Sequence, residues 1–150
     1  PGDTVAYLNK RLTINGQEVP TKDLPDFFDT DAMRYFAQFE EQLGDKPHRL
    51  LNTKGMPAFV QGASEFPFRE NCTYTVGGVT CKVPEGHYFT MGDNRDNSGD
   101  SRWSAAAGGV GMVPAEYLIG RADRIMFSSA GRSLLYFWTW RADRFFKAVD

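Results

Sequence analysis

The sequence predicts a mainly β fold with one short helix, and three observations carry that expectation. Two segments combine β-branched and aromatic residues with tight-turn dipeptides, Asn15-Gly16 in one and Gly77-Gly78 in the other. Only one stretch repeats its apolar residues at helical spacing. Between them the chain is punctuated by turn and loop residues, among them Gly55, Pro57, Gly62 and Pro67.

In chain order, Pro1-Gly2-Asp3 reads as a turn. Residues 5–12 read as a strand, and Leu12-Thr13-Ile14 runs into Asn15-Gly16 and a short return to Val19, which makes a first hairpin. Over residues 30–43, Met33, Phe36, Phe39 and Leu43 recur at helical spacing with Tyr35 alongside. Asp29, Thr30 and Asp31 offer caps and Gly44 follows the end, so this is the one predicted helix. Residues 49–68 read as loop. Cys72 and Cys81 bracket a second hairpin; a two-residue turn at Gly77-Gly78 pairs Cys81 with Tyr74, so a bond to Cys72 would need a diagonal or bulged arrangement. The sequence leaves open a disulfide, which would imply an oxidising compartment, or two free thiols. Residues 83–91 are strand-like and lead into a polar run at 92–102, and residues 110–126 read as extended with breaks at Pro114 and Gly120.

Composition bounds the function. The 150 residues are 41% hydrophobic and 24% charged, as in a folded domain. A net charge of -2 argues against a nucleic-acid binder, which gathers a basic excess on one face. The most apolar run, residues 134–140, is interrupted by Thr139 and closed by Arg141, far short of the roughly 20 residues of a membrane-spanning helix. No secretory leader opens the chain, and a start in mid-turn without Met suggests a trimmed or truncated protein. Residues 134–147 interleave Trp, Tyr and Phe with Arg and Lys, which suits a membrane interface or, equally, a terminal helix docked on the core.

The informative segment is Gly92-Asp93-Asn94-Arg95-Asp96-Asn97-Ser98-Gly99-Asp100-Ser101-Arg102. As a calcium loop it fits from Asn94 through Asp96, Ser98 and Gly99, but Ala105 stands where the closing Glu belongs. A triad of Ser98 or Ser101 with His87 and an Asp lacks a nucleophile-elbow pattern, and His48 is the only other histidine. A solvated turn is the ordinary fate of such a stretch.

Residue for residue, however, it resembles the signature loop of bacterial type I signal peptidases (leader peptidases), GDNRDNSxDSR. Val113-Pro114 and Gly120-Arg121-Ala122 follow as in that family, residues 83–91 resemble its approach strand, and Pro1-Gly2-Asp3 matches the end of a further box. The resemblance implies a signal-peptidase-like catalytic β core from residues 1–8 and 83–127. It also implies an inserted, variable second (cap) domain at 9–82 and a C-terminal aromatic segment at 128–150. It implies a serine endopeptidase that removes signal peptides from secreted preproteins after Ala-X-Ala-type sites. Such enzymes use a Ser-Lys dyad, no metal and no organic cofactor, on the outer (periplasmic) face of the bacterial cytoplasmic membrane. Signal peptides and the membrane surface are the implied partners, and nucleic acid is not.

In that family the serine lies in an upstream Ser-Met box and the lysine just before Pro-Gly-Asp. Neither box is in these residues, so this chain alone is expected to be inactive, and Lys10 beside Arg11 lies on the wrong side of Pro-Gly-Asp to replace the base. The resemblance assigns Ser98 as the hydroxyl that hydrogen-bonds the upstream lysine, a role that suits a side chain able to donate to a neutral amine and orient it. Asp100 and Arg102 become a charge pair holding the loop, Asp93 and Arg95 a second such pair, and Gly92 a point of close backbone approach. Residues 103–112, longer than the common pattern, are expected to form a flexible surface loop. The competing function is a non-catalytic module that keeps the loop to bind peptides.

Overall fold

The computed structural model describes residues 1–58, 65–129 and 137–149. Along the chain run β1 (Thr4–Leu8), β2 (Arg11–Ile14), β3 (Gln17–Glu18), β4 (Thr21–Asp29), β5 (Arg34–Leu43), β6 (Lys46–Asn52), β7 (Cys72–Thr75), β8 (Gly78–Lys82), β9 (His87–Tyr88), β10 (Val113–Pro114), β11 (Arg124–Ile125) and β12 (Lys147–Ala148). The helical elements among the described residues are 3-10 turns of three residues each. The chain divides into two compact units, Pro1–Leu118 and Ile119–Asp150.

In the first unit an antiparallel sheet has the order β3-β2-β1-β8-β7. The strand expected over residues 5–12 is in fact two, because Asn9 and Lys10 both adopt positive φ and turn the chain so that Leu8 pairs with Arg11. Two consecutive left-handed residues match the twist of a hairpin. Asn tolerates that geometry; Lys does so only when something holds it there. The Asn15-Gly16 turn falls where expected and pairs Ile14 with Gln17.

The cysteine hairpin turns one residue earlier than predicted, at Val76-Gly77, because Thr75 pairs with Gly78. Gly78 belongs to the strand: at φ 135° a Cβ there would lie 2.0 Å from the Tyr7 carbonyl oxygen of β1. Only glycine allows β8 to pair so closely with β1. The shifted register sets Cys72 directly opposite Cys81, with Cα atoms 4.1 Å apart, and the two form a disulfide. Val79, Cys72, Cys81 and Met112 form one buried cluster on this hairpin. Tyr7, Leu12, Val19 and Ala58 form another against β1 and β2. Burying each large apolar side chain contributes about 1.5–3 kcal/mol.

The predicted helix over residues 30–43 is a correction. Residues 30–33 form the reversal between β4 and β5, and β5 is the central strand of a second antiparallel sheet, β4-β5-β6. Its apolar spacing fitted a helix, but β4 and β6 supply partners along both edges, and strand formation depends on such non-local neighbours. At period two, Phe36 faces one side of the sheet while Phe39 and Glu41 face the other; Phe36 and Glu41 are both buried. Part of the expected 49–68 loop is also strand, since β6 extends to Asn52. In the expected strand at 83–91 only β9 is regular, and it pairs with β10.

The second unit contains the β11–β12 pair and a bridge between Ser129 and Trp140. Phe127 stacks on Trp140 at 5.7 Å, and Phe145 tilts against Trp140 at 5.9 Å. Trp138 and Phe146 are exposed. From Phe137 to Val149 the chain forms 3-10 turns and β12, not the terminal helix that was one of two expectations. The remainder of that aromatic run, residues 134–136, lies outside the described residues. Among the described residues no helix is long and apolar enough to cross a membrane.

Candidate active-site loop

The polar run at 92–102 is laid along the free edge of β6. The Leu51 amide donates to the Asp93 carbonyl at 2.9 Å and the Arg95 amide to the Leu51 carbonyl at 3.0 Å, a short parallel bridge that extends the second sheet by one partial strand. At its far end the loop closes on its own approach segment: the Ser101 amide donates to the Thr90 carbonyl, and the Thr90 amide to Ser101 Oγ at 2.8 Å. Ser101 is fully buried. The loop is therefore anchored at both ends by backbone hydrogen bonds.

Asp100 and Arg102, the charge pair that the resemblance implies, are in contact. Arg102 Nε donates to Asp100 Oδ1 at 2.8 Å and a terminal guanidinium nitrogen to Oδ2 at 2.7 Å, a bidentate contact between two buried side chains. Asp100 also accepts from the Gly92 amide at 3.0 Å, so one carboxylate ties the two ends of the loop together. Asp93 and Arg95 do not pair. Asp93 is exposed and accepts from the Asn94 amide, whereas Arg95, buried, donates to Glu41 of β5. A desolvated guanidinium needs a desolvated counter-charge, and Glu41, 1% exposed, supplies it.

Lys10 is held in its left-handed turn by the same loop. Its Nζ donates to Asp96 Oδ2 at 2.7 Å and to the Thr53 carbonyl at 3.0 Å, and Asp96 also takes the Thr53 amide at 2.6 Å. Lys10 thus serves as a strut between the first hairpin and the loop.

Tyr7 of β1 joins the pairs. Its ring is 1% exposed, and the guanidinium carbons of Arg95 and Arg102 lie 5.4 and 5.3 Å from its centroid. Burial raises the phenol above its ordinary value of 10.0, and the two arginines only partly offset this. Tyr74, whose hydroxyl donates to the Arg102 carbonyl, is raised by burial as well. A raised phenol stays protonated in the folded protein while the unfolded chain ionises. Its stabilisation is therefore complete below pH 10 and is lost as pH rises from there through the folded value. Stability should fall above pH 10 by up to about 1.4 kcal/mol per pH unit for each such group. Tyr7→Phe should reduce that slope in urea unfolding measured from pH 9 to 11; an unchanged slope would remove Tyr7 as its source.

Ser98 lies where the loop borders an open cleft of about 320 Å³, lined in part by Asp96, Gly99, Trp103 and Gly108. Its hydroxyl donates to the Asn94 carbonyl at 2.8 Å. A carbonyl can only accept, so the single Ser98 proton is committed and its oxygen lone pairs remain. Gly92 lies directly against it: a Cβ on Gly92 would come 1.9 Å from Ser98 Oγ. The two serines weighed for a histidine triad bond elsewhere, to Asn94 and Thr90, while His87 contacts the Glu85 carbonyl and the Phe68 ring.

Residues 103–112 fold back on the loop. Ser104 caps a 3-10 turn at Ala105–Ala107, the Val110 amide donates to the Asp100 carbonyl, and Met112 is buried beside the disulfide. The approach of Gly99 to the Gly108 carbonyl leaves no space for a side chain. This insertion is thus packed against the signature segment. Sequence reasoning missed Tyr7, Glu41 and Thr53 as neighbours of the site. None has a local signal, since each comes beside the loop only once the strands that carry or precede it are assembled.

The comparisons with known proteins agree on the family. The family model of signal peptidase, peptidase S26, matches residues 1–127. The chain is 36% identical over 134 residues to signal peptidase I of Pseudomonas fluorescens, covering 85% of this chain and 40% of that protein. It is 34% identical to signal peptidase I of Pseudomonas aeruginosa over 133 residues, with the same two shares. The Rickettsia typhi signal peptidase I is 33% identical over 129 residues, covering 86% of this chain and 43% of that protein. The chain therefore spans about two fifths of the length of these relatives.

Proposed function

Since this chain belongs to the signal peptidase family, peptidase S26, we propose that residues 92–102 form the supporting wall of a Ser-Lys active site that removes signal peptides from secreted preproteins after Ala-X-Ala-type sites. The observation that carries this reading is the hydrogen-bonding state of Ser98. With its proton committed to Asn94, the hydroxyl can accept an N–H from a neutral lysine amine. That contact turns the amine lone pair toward a serine hydroxyl, whose proton it removes as the serine attacks the scissile carbonyl. The orienting bond runs from the amine to Ser98, opposite to the direction expected from sequence.

The nucleophilic serine and the lysine lie, in this reading, outside these residues, which span about two fifths of the relatives' length, so the chain by itself is inactive. Asp100, Arg102, Arg95 and Gly92 shape the wall, and Asp93 lies on its exposed side. Residues 1–8 and 83–127 contribute to the catalytic core and residues 9–82 to an inserted domain. Signal peptides are the substrates, no metal or organic cofactor takes part, and nucleic acid is not a partner. The site faces outward from the bacterial cytoplasmic membrane; the Cys72–Cys81 disulfide suits that oxidising side, and the exposed Trp138 and Phe146 suit contact with the lipid surface.

The test is cleavage of a signal-peptide substrate by this chain and by the full-length protein in parallel. Cutting after Ala-X-Ala by the full-length protein alone is the expected result. Cleavage by the short chain would place a complete catalytic set inside these residues, and cleavage by neither would favour a non-catalytic peptide-binding module.

A further inference from the structure

Glu41 has no role in the reading above, yet it is the most buried carboxylate of the second sheet, at 1% exposure near the C-terminal end of β5. An ionised carboxylate that deep is costly unless paired. One oxygen, Oε2, accepts from Arg95 and lies 3.2 Å from His48 Nε2, a partly exposed side chain on β6. Arg95 is 4% exposed, and its carbonyl in turn accepts from Arg102. Its amide anchors to Leu51, and the next turn carries the Asn94 carbonyl that holds Ser98. A continuous chain of contacts thus runs from the second sheet through one guanidinium to the hydroxyl beside the cleft.

We propose that Glu41 is a positioning residue of the active-site loop, acting through Arg95 to hold the Asn94–Ser98 turn in register. The inference rests on the peptidase reading for its catalytic consequence and on geometry alone for its hold on the loop. Within the loop, the Asp100–Arg102 pair ties one end to the other, but it does not tie the loop to the second sheet. That attachment is made by the Leu51 bridge, the contact of Asp96 with the Thr53 amide just past β6, and Glu41, and of these only Glu41 neutralises a buried charge from within the sheet. Without it, Arg95 must seek water, pulling the turn outward.

The test uses the full-length protein and the variants Glu41→Gln, Arg95→Met and the double variant. Glu41→Gln keeps shape and an acceptor but removes the counter-charge, so the sheet is retained. Cleavage should show kcat lowered about tenfold to a hundredfold with KM nearly unchanged. Adding Arg95→Met should produce no further loss, because Glu41 acts through that guanidinium. Multiplicative losses, or full kcat in Glu41→Gln, would overturn the proposal.

Hydrogen exchange provides a readout independent of activity. In Glu41→Gln the amides of Gly92, Arg95 and Ser101 should exchange about tenfold faster, while Val79 in the disulfide hairpin keeps its protection. Equal acceleration at Val79 would assign Glu41 a global structural role and reject the positioning one. If the wild-type protein fails to cleave, the peptidase reading falls, and exchange still decides whether Glu41 holds the loop.

Discussion

Asp100→Ala is expected to destabilise the protein by about 3–5 kcal/mol, the cost of leaving a buried guanidinium without its partner. Asp100 and Arg102 are 5% and 4% exposed, so water cannot replace the lost carboxylate without opening the loop. The same substitution removes the acceptors of the Gly92 and Arg102 amides. Urea or thermal unfolding measures the effect directly. Exchanging both partners for apolar residues of similar volume, Asp100→Leu with Arg102→Met, should cost much less, because no charge is then stranded. If Asp100→Ala loses less than about 1 kcal/mol, the value of an exposed pair, the two charges are hydrated in solution and the buried clamp is wrong.

Gly92→Ala is expected to have the larger effect on catalysis and the smaller one on stability. The added methyl would fall 1.9 Å from Ser98 Oγ and 2.4 Å from its Cβ, so Ser98 or the Gly92 backbone must move. Overpacking of this kind costs about 1–3 kcal/mol in stability. Moving the Ser98 oxygen by about 1 Å should cost on the order of a hundredfold in kcat, since the orienting contact to the base depends on that position. Cleavage kinetics of the full-length variant, alongside its unfolding curve, separate the two effects. A variant that folds normally and cleaves at the wild-type rate would show that Ser98 need not lie where it does.

The sequence determined the family and the address of the proposed site. The run from Gly92 to Arg102 names Ser98, Asp100 and Arg102 without reference to any other part of the chain, and the first Asn-Gly turn is equally local. Ser98 is legible through the family resemblance, whereas the Asp100–Arg102 spacing and the Asn-Gly turn rest on adjacent residues and short-range sterics. Tertiary structure decided the rest. Residues 34–43 have apolar spacing compatible with a helix, and only strands on both sides turn them into β5. Gly78 looked like a turn residue until the close approach of β1 claimed it, and that one-residue shift brought Cys72 opposite Cys81. Arg95 has Asp93 two residues away, yet it pairs with Glu41 across 54 positions, since a buried charge takes the carboxylate that is buried with it. Strand register and desolvation are properties of neighbours distant along the chain, so the partners of the site's charges became visible only once the sheets were assembled.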